Sequence, residues 1–383
     1  MVRPVLVVAG LVVGVALGEL LLRAVLPAAA DKYYPWYPRF AHAFRPDPKV
    51  VPGVSGIAHF TTNKWGLRGS EFNDQQDYRI LAVGGSTTEC LYLDDTEAWP
   101  HLVEAGLNEW GKLGRVWVGN AGRSGLCTRE HVAYMTYLPP QYPRLDAAIF
   151  LVGANDLAKF LLQGRAFDPN FSDTPHGREV TLYRGFSVFP GNSRLEFFEA
   201  TGYGRLWRRL SDRWSRRSHG GLVLDDVGQC YIDARQRRAA AVKYATLPDL
   251  EPALAAYAEE LSRIIALCRK QAIRPVFMTQ PVLWGEGLSP EDEALLWFGD
   301  VMGSPNFYSS AALGEGMARF NHQLLEVCRQ HGVECIDLVP LLPRDTSVFY
   351  DDMHFNEAGS RRVAGIVVDW WKANHDGTAA KFR

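Results

Sequence analysis

The chain has 383 residues, of which 47% are hydrophobic, enough for one large folded domain or two ordinary ones. Its formal net charge of −2 argues against a nucleic-acid-binding protein. The sequence contains neither a Cys-x-x-Cys pair nor a His-Glu-x-x-His motif, and we predict no metal site. We also predict no cofactor, because phosphate-loop and dinucleotide-binding patterns are absent from its glycine-rich turn.

The first 26 residues differ in composition from the rest of the chain. Residues 4–18 carry no charge, and the apolar pattern continues to Leu26 with only Glu19 and Arg23 interrupting it. A helix of this length would extend ~34 Å, enough to cross a hydrocarbon core of ~30 Å. We therefore predict that residues 1–30 contain a transmembrane helix that anchors the protein.

Two alternatives to an anchor remain at this stage. One is a signal peptide cleaved near Ala28-Ala29-Ala30, and the other is a buried helix of a soluble protein. Positive charges lie on both sides of the segment, so they give no clean orientation. We favour a cytoplasmic N terminus, which predicts a membrane-anchored protein with the body of the chain in the periplasm or outside the cell.

Beyond residue 78, short apolar runs alternate with helical patterns. Runs that are nearly all apolar are typical of strands buried on both faces, and five occur, at residues 79–84, 115–119, 146–152, 275–279 and 333–338. Helical patterns lie between or after them, at residues 96–108, 129–137, 250–271, 317–330 and 356–373. This alternation predicts an α/β fold with about five parallel strands and helices on both faces of the sheet.

The chain is divided into three parts by these patterns. Residues 31–78 are rich in proline, aromatic residues and glycine, and we interpret them as an N-terminal β/loop extension. Residues 79–383 form the main domain, with insertions at about 160–245 and 284–311, and the first insertion shows no strong strand pattern.

One helical pattern in the first insertion has two interpretations. Trp207, Leu210 and Trp214 recur at helical spacing among arginines between residues 204 and 218. The pattern fits a membrane-surface helix, or an amphipathic helix whose tryptophans pack on the body, and we favour packing.

The most informative motif is Gly84-Gly85-Ser86, at the end of the first predicted strand. On its own it also fits an ordinary strand-to-helix turn. No lysine follows as a phosphate loop requires, and the lipase-type Gly-x-Ser-x-Gly pattern fails at Thr88. Ser86 is therefore a candidate nucleophile only if a base is supplied from elsewhere in the chain.

Residues that could serve as partners follow other strands of the predicted sheet, whose carboxyl ends meet at one edge. His354 is the natural base, and Asp351, three residues earlier, is suited to orient it. For the oxyanion hole we predict three donors, the backbone N–H of Ser86, the backbone N–H of Gly125 and the side-chain amide of Asn155. The sequence thus predicts Ser86, His354 and Asp351 as catalytic residues.

Neighbouring residues have other interpretations. Asp352 competes with Asp351 for the orienting role, although its spacing to His354 is less suitable. Asp156 and Glu89 are interpreted as structural residues. Asn and Asp side chains also cap helices, and a lone histidine is often a satisfied loop residue. The occurrence of the whole set in order favours a catalytic site.

Four blocks, Gly-Gly-Ser-Thr-Thr, Asn-x-Gly-x-Ser-Gly, Gly-x-Asn-Asp and Asp-x-x-His, together resemble the signature of the SGNH/GDSL hydrolase family. They cover residues 80–156 and 333–370. The resemblance implies a three-layer α/β/α flavodoxin-like fold and ester hydrolysis or acyl transfer. Residues 62–69 are similar to a segment of membrane-anchored bacterial members. One departure is Gly85, which stands where the family usually has aspartate.

We predict a serine esterase that hydrolyses an O-acyl ester, such as an O-acetyl ester, through an acyl-serine intermediate. The expected substrate is an O-acylated small molecule or glycan, or a lipid, of the cell envelope or extracellular space. One alternative is an O-acyltransferase that uses the same site, and another is a non-catalytic, membrane-tethered glycan-binding protein. The N-terminal helix would bind the membrane, no nucleic-acid partner is expected, and the oligomeric state is left open.

Overall fold

A computed structural model describes the chain over residues 2–26, 32–191, 200–207, 210 and 224–375. Its strands, in chain order, are β1 (Ala41–Pro46), β2 (Ala58–Thr61), β3 (Tyr78–Gly84), β4 (Val116–Asn120), β5 (Ala147–Leu151), β6 (Leu224–Val227), β7 (Lys243–Tyr244), β8 (Arg274–Met278), β9 (Phe307–Tyr308) and β10 (Glu334–Ile336). Its helices are α1 (Val2–Val25), α2 (Ser86–Glu89), α3 (Trp99–Trp110), α4 (Thr128–Tyr137), α5 (Ala154–Gln163), α6 (Pro175–Gly185), α7 (Gln229–Ala240), α8 (Glu251–Lys270), α9 (Pro290–Glu293), α10 (Ser310–His331) and α11 (Glu357–Asn374).

The five predicted apolar runs form one parallel sheet, so the predicted α/β fold class is confirmed. The strand order is β4-β3-β5-β8-β10, and each neighbouring pair is parallel. In order of appearance this is 2-1-3-4-5, the order of flavodoxin-like sheets. Every residue of β4, β5 and β8 is buried, which explains why these strands are almost continuously apolar.

The direction of the chain across the sheet reverses after β4. The chain moves from β3 outward to β4, and then crosses back over β3 to β5. Because such crossovers are right-handed, α3 and α4 lie on opposite faces of the sheet. Helix α3 packs against α11, while α4 packs against α8, which also packs against α10. The point of reversal lies between β3 and β5, where proteins of this kind bind ligands.

The N-terminal extension contributes β1 and β2, which form a second sheet with β6 from the first insertion. Arg68, in the same extension, is buried, and its guanidinium donates to the backbone carbonyls of Glu89, Cys90 and Leu93 at 2.6–2.7 Å. Its Nε pairs with Asp95 at 2.7 Å. Two of these carbonyls lie at the end of α2, so Arg68 fixes the short helix that begins at Ser86.

Two predictions about the first insertion need correction. It does contain strands, β6 and β7, but most of their residues are exposed or partly exposed, so they carry no apolar pattern. Trp207 and Leu210 are also exposed rather than packed on the body, at 65% and 52% of their surface. Trp214 lies outside the described residues.

Helix α1 occupies most of the predicted anchor. Over the part of the chain that the structure describes, no helix is both long enough and apolar enough to cross a membrane. The predicted transmembrane helix is therefore not supported. Glu19 and Arg23 form the ion pair that their spacing suggests, at 2.6 Å. Glu19 also accepts the backbone N–H of Gly202 at 2.7 Å, which joins α1 to the first insertion.

Candidate active site

Ser86 lies at the first position of α2, directly after β3. It is partly exposed, whereas the residues on either side of it are buried. A Cβ atom on Gly85 would lie 2.1 Å from Nδ2 of Asn155, so the Asn155 amide would have to shift to accommodate a side chain there. Glycine at position 85 therefore allows the Asn155 amide to lie in its present position beside Gly85.

The structure brings the three predicted catalytic side chains into one hydrogen-bonded series. Nε2 of His354 lies 2.7 Å from Oγ of Ser86. Nδ1 of His354 lies 2.8 and 2.9 Å from the two carboxylate oxygens of Asp351. Asp351 is completely buried, and it also accepts the backbone N–H groups of Met353 and His354 at 3.1 and 2.9 Å. This is the arrangement of nucleophile, base and orienting group that activates a serine.

The charges of His354 and Asp351 stabilise each other. Burial alone would lower the pKa of His354, but the charge of Asp351 and its hydrogen bond outweigh burial and raise that pKa. Burial would likewise raise the pKa of Asp351, but His354 and several N–H donors lower it. Asp351 thus stays ionised while His354 has the proton affinity needed of a general base.

Asp352, the competing carboxylate, is held in a different direction. Its oxygens accept Nε1–H of Trp284 at 2.7 Å and the backbone N–H of Trp297 at 2.8 Å. Burial and the nearby charge of Asp351 raise the pKa of Asp352 to about 6. Nε1–H of Trp297 donates to Asp351 at 3.0 Å. The second insertion therefore reaches the Asp351 carboxylate through Trp297, a residue that no sequence signal had singled out.

Residues of the predicted oxyanion loops, Leu126 and Asn155, lie beside Gly85 and Ser86. Gly125 has a φ of +73°, a conformation that favours glycine. Its carbonyl accepts Nη2–H of Arg184 at 2.6 Å. The Asn155 amide donates to the carbonyl of Leu126 at 2.8 Å, which joins the two loops. The sequence had not predicted the contact from Arg184, which lies in the first insertion.

The loop before Gly125 is held by hydrogen bonds to Glu89 and to the N-terminal extension. Oγ–H of Ser124 donates to the carboxylate of Glu89, which is 1% exposed. On the other side, Nε1–H of Trp36 donates to the carbonyl of Gly122 at 3.3 Å, and Arg123 donates to the carbonyl of Pro35 at 2.6 Å. Glu89 and the N-terminal extension therefore both support the loop.

A small cavity of about 10 Å³ adjoins Ser86. Of the predicted site residues, Ser86 and Asn155 line this cavity. The complete lining comprises Gly85, Ser86, Thr87, Leu126, Leu151, Val152, Gly153, Ala154, Asn155, Gln280 and Met353. A space of this size holds about one water molecule. The arrangement of Ser86, His354 and Asp351 can therefore perform serine-based acyl chemistry.

The sequence pattern of the GDSL-like lipase/acylhydrolase family matches residues 82–362, a range that includes Ser86, Gly125, Asn155, Asp351 and His354. The chain belongs to this family. It is an ester hydrolase, and the predicted enzyme class is confirmed.

Several solved structures are similar to the chain. A lipolytic G-D-S-L family protein from Veillonella parvula shares 12% identity with a TM-score of 0.41, and the match covers 77% of this chain and 98% of that one. An acetylxylan esterase from Geobacillus stearothermophilus shares 12% identity with a TM-score of 0.41, and that match covers 78% of this chain and 95% of the esterase. A lipase/acylhydrolase from Enterococcus faecalis shares 14% identity with a TM-score of 0.39, and the match covers 78% of this chain and 96% of that protein. No curated protein matches the chain.

Proposed function

We propose that this GDSL-family enzyme hydrolyses an O-acetyl or similarly short O-acyl ester of a cell-envelope or extracellular carbohydrate or lipid. Ser86 is the proposed nucleophile. The observation that carries the proposal is the series of contacts from Ser86 Oγ to His354 Nε2 at 2.7 Å and from His354 Nδ1 to Asp351 at 2.8 Å.

In the first half of the reaction, Ser86 is acylated. Nε2 of His354 takes the hydroxyl proton while Oγ of Ser86 forms a bond to the ester carbonyl carbon. The carbonyl oxygen becomes negative, and the proposed donors to it are the N–H groups of Ser86 and Gly125 and the amide of Asn155. The carbon–oxygen bond to the alcohol then breaks, and the alcohol leaves with the proton from His354.

In the second half, water releases the acyl group. His354 takes a proton from water, whose oxygen attacks the acyl carbon under the same three donors. The bond to Ser86 Oγ breaks, the serine regains its proton from His354, and the carboxylic acid departs. Asp351 remains ionised throughout and stabilises the imidazolium in both halves.

The size of the cavity beside Ser86 supports a short acyl group. Its volume of about 10 Å³ is close to that needed for one water molecule, and its walls include Leu126, Leu151 and Met353. A methyl group fits such a space, whereas a long acyl chain would have to displace buried side chains. Acetate is therefore the favoured acyl group.

Turnover of p-nitrophenyl acetate, butyrate and octanoate tests this proposal. We expect the acetate ester to give the highest kcat/KM, and we expect Ser86→Ala to lower kcat by roughly 10⁴-fold or more. A fluorophosphonate probe should label Ser86 and should fail to do so in His354→Ala. Wild-type turnover in Ser86→Ala would overturn the proposed nucleophile, and preference for octanoate would overturn the short acyl group.

We also propose an extracytoplasmic, membrane-associated location. Support comes from α1, where the side chains of Leu11, Leu17 and Leu20 are 61–65% exposed. Exposed apolar surface of this extent is typical of a surface that binds a membrane or another protein. The test is fractionation of cells that express the full chain or a chain lacking residues 1–26. Recovery of the full chain in the soluble cytoplasmic fraction would contradict the location.

A further inference from the structure

Two carboxyl groups behind the predicted oxyanion loops contact a single hydroxyl. Oγ1 of Thr128 lies 2.5 Å from Oδ1 of Asp156 and 2.6 Å from Oε2 of Glu260. The backbone N–H of Thr128 also donates to Oδ1 of Asp156, at 3.0 Å. The reaction proposed above uses none of these three side chains directly.

The number of hydrogens in this cluster decides its protonation state. A threonine hydroxyl has one hydrogen, and an ionised carboxylate has none. If both carboxyl groups were ionised, one of the two short contacts would join two oxygens with no hydrogen between them. A single additional proton removes the conflict, because one carboxyl group then donates to Oγ1 of Thr128 while Thr128 donates to the other.

The three residues belong to the elements that carry the oxyanion donors. Thr128 is the first residue of α4 and follows Gly125 by three positions. Asp156 lies in the first turn of α5, directly after Asn155. Glu260 lies in α8, which packs against α4 and α5. The cluster therefore joins the Gly125 loop, the Asn155 loop and a helix that supports them both.

We propose that Asp156 and Glu260 share one proton through Thr128, and that this proton positions the two oxyanion loops for ester hydrolysis. Asp156, Thr128 and Glu260 are thus positioning residues, since none of them touches the reacting atoms. The inference deepens the proposed function and rests on it for the catalytic consequence.

Burial of the cluster favours the shared proton. Burial raises the pKa of Asp156 to about 8, and the neighbouring charge of Glu260 contributes to the increase. Burial also raises the pKa of Glu260 to about 7, against the hydrogen bond from Thr128. Oδ2 of Asp156 is buried and has no hydrogen-bond partner within the described protein, a costly situation for an ionised carboxylate.

Other charged groups surround Asp156 and Glu260, and most of them form hydrogen bonds or ion pairs with other residues. Glu130 accepts the backbone N–H of Cys127 at 3.0 Å and lies 3.3 Å from Nε of Arg184. Arg263 pairs with Asp173 at 2.9 Å. The titratable and charged groups that face the pair from α4 and the residue before it, α5, α8 and the loop between α5 and α6 include Cys127, Arg129, Glu130, Lys159, Asp168, Asp173, Tyr257 and Arg263.

The direction of the pH effect follows from the loss of this proton. As the pH rises above about 7 to 8, both carboxyl groups become ionised and the hydroxyl of Thr128 can satisfy only one of them. The second carboxylate is repelled, and the Gly125 and Asn155 loops lose a common support. We expect kcat for acetate esters to fall by about 10- to 100-fold at alkaline pH, since small displacements of positioning groups have effects of this size.

The variant that tests this is Glu260→Gln. Its amide N–H can donate to Oγ1 of Thr128 at every pH, so the contact no longer depends on a proton. We expect kcat of this variant to stay constant between pH 7 and 9.5, whereas the wild type declines. The matched control is Glu259→Gln, on the same helix, whose exposed carboxylate pairs with Arg263 and which should keep the wild-type decline. An unchanged decline in Glu260→Gln would overturn the proposal.

A second measurement separates this inference from the proposed function. Infrared titration of full-length Ser86→Ala should show one carboxylic-acid band that disappears above about pH 8, and Ser86→Ala/Glu260→Gln should lack that band. Absence of the band in Ser86→Ala would overturn the shared proton whatever the enzyme hydrolyses. A titrating band in a wild type without esterase activity would support the shared proton and contradict the proposed function alone.

Discussion

The structure contains two pairs of neighbouring carboxyl groups, Asp351 with Asp352 and Asp156 with Glu260, and the pairs are held by different sets of donors. Asp351 and Asp352 accept hydrogen bonds from backbone N–H groups and from the indoles of Trp284 and Trp297. The other pair, behind the oxyanion loops, shares the hydroxyl of Thr128. An N–H group can only donate, so it favours an ionised carboxylate, whereas a hydroxyl also accepts and is compatible with a protonated one. A carboxyl group therefore serves as a fixed charge at Asp351, whereas between Asp156 and Glu260 it holds a proton.

The largest expected effect concerns the fixed charge. Asp351→Asn keeps the shape of the side chain but favours the wrong tautomer of His354, so we expect kcat for p-nitrophenyl acetate to fall by about 10⁴-fold. Asp352→Asn is the matched variant, because it alters the neighbouring carboxylate that does not contact the imidazole. We expect its loss of kcat to be much smaller and to be accompanied by a lower melting temperature. Equal losses of kcat in both variants would contradict the assignment of Asp351.

The next effect concerns the predicted oxyanion donors. Asn155→Ala removes one oxyanion donor, and we expect kcat to fall by about 10²–10³-fold with little change in KM. Gly85→Ala should have a similar effect, because the new Cβ would occupy the position of the Asn155 amide.

The two substitutions, Asn155→Ala and Gly85→Ala, should not be additive, since both act on the same amide. Steady-state kinetics of the single and double variants measure this coupling. Fully additive losses would show that Gly85 acts independently of Asn155.

A smaller effect is expected from the second insertion. Trp297→Phe removes the N–H that Asp351 accepts at 3.0 Å, and a hydrogen bond to a charged group contributes about 1.5–3 kcal/mol. We expect the free energy of unfolding in urea to decrease by about this amount and kcat to fall by about tenfold. Trp110→Phe, in α3, is the control and should change neither quantity appreciably. A wild-type kcat in Trp297→Phe would show that the second insertion does not contribute to catalysis through Asp351.

The smallest effect is a displacement of the pH profile. A protonated His354 cannot accept the proton of Ser86, so kcat/KM should rise with pH through the pKa of His354. Asp351 raises that pKa above its ordinary value of about 6.5. We expect the acidic limb of Asp351→Asn to shift to lower pH, because the charge that raises the pKa is gone. A shift to higher pH would contradict the electrostatic role of Asp351.

The fold was predictable where burial leaves a continuous pattern in the sequence. The five central strands lie within two residues of their predicted ends, because the sheet is covered on both faces. Helix α10 begins at Ser310, seven residues before the predicted start at Met317. Ser309 caps that helix through its side chain, a signal that the apolar periodicity alone does not contain.

The residues that follow the ends of the strands were also predictable, because parallel topology brings their loops together. Ser86, Gly125 and Asn155 are such residues. The supporting contacts were not, since they join residues far apart in the chain. Trp297 reaches Asp351 from 54 positions away, and Thr128 reaches Glu260 from 132 positions away. Neither distance leaves a local pattern, and only the packed structure reveals which tryptophan or which glutamate is involved.

Arg68 has a consequence for how the enzyme can be divided. It lies ten residues before β3, yet three backbone carbonyls after Ser86 depend on its guanidinium. A shortened chain that starts at the first strand of the central sheet would leave those carbonyls without this donor at the turn that presents Ser86. The smallest part of the chain that can be expressed alone or exchanged with a relative therefore includes the aromatic-rich segment before the sheet. The same segment has to survive limited proteolysis for the turn at Ser86 to keep its support.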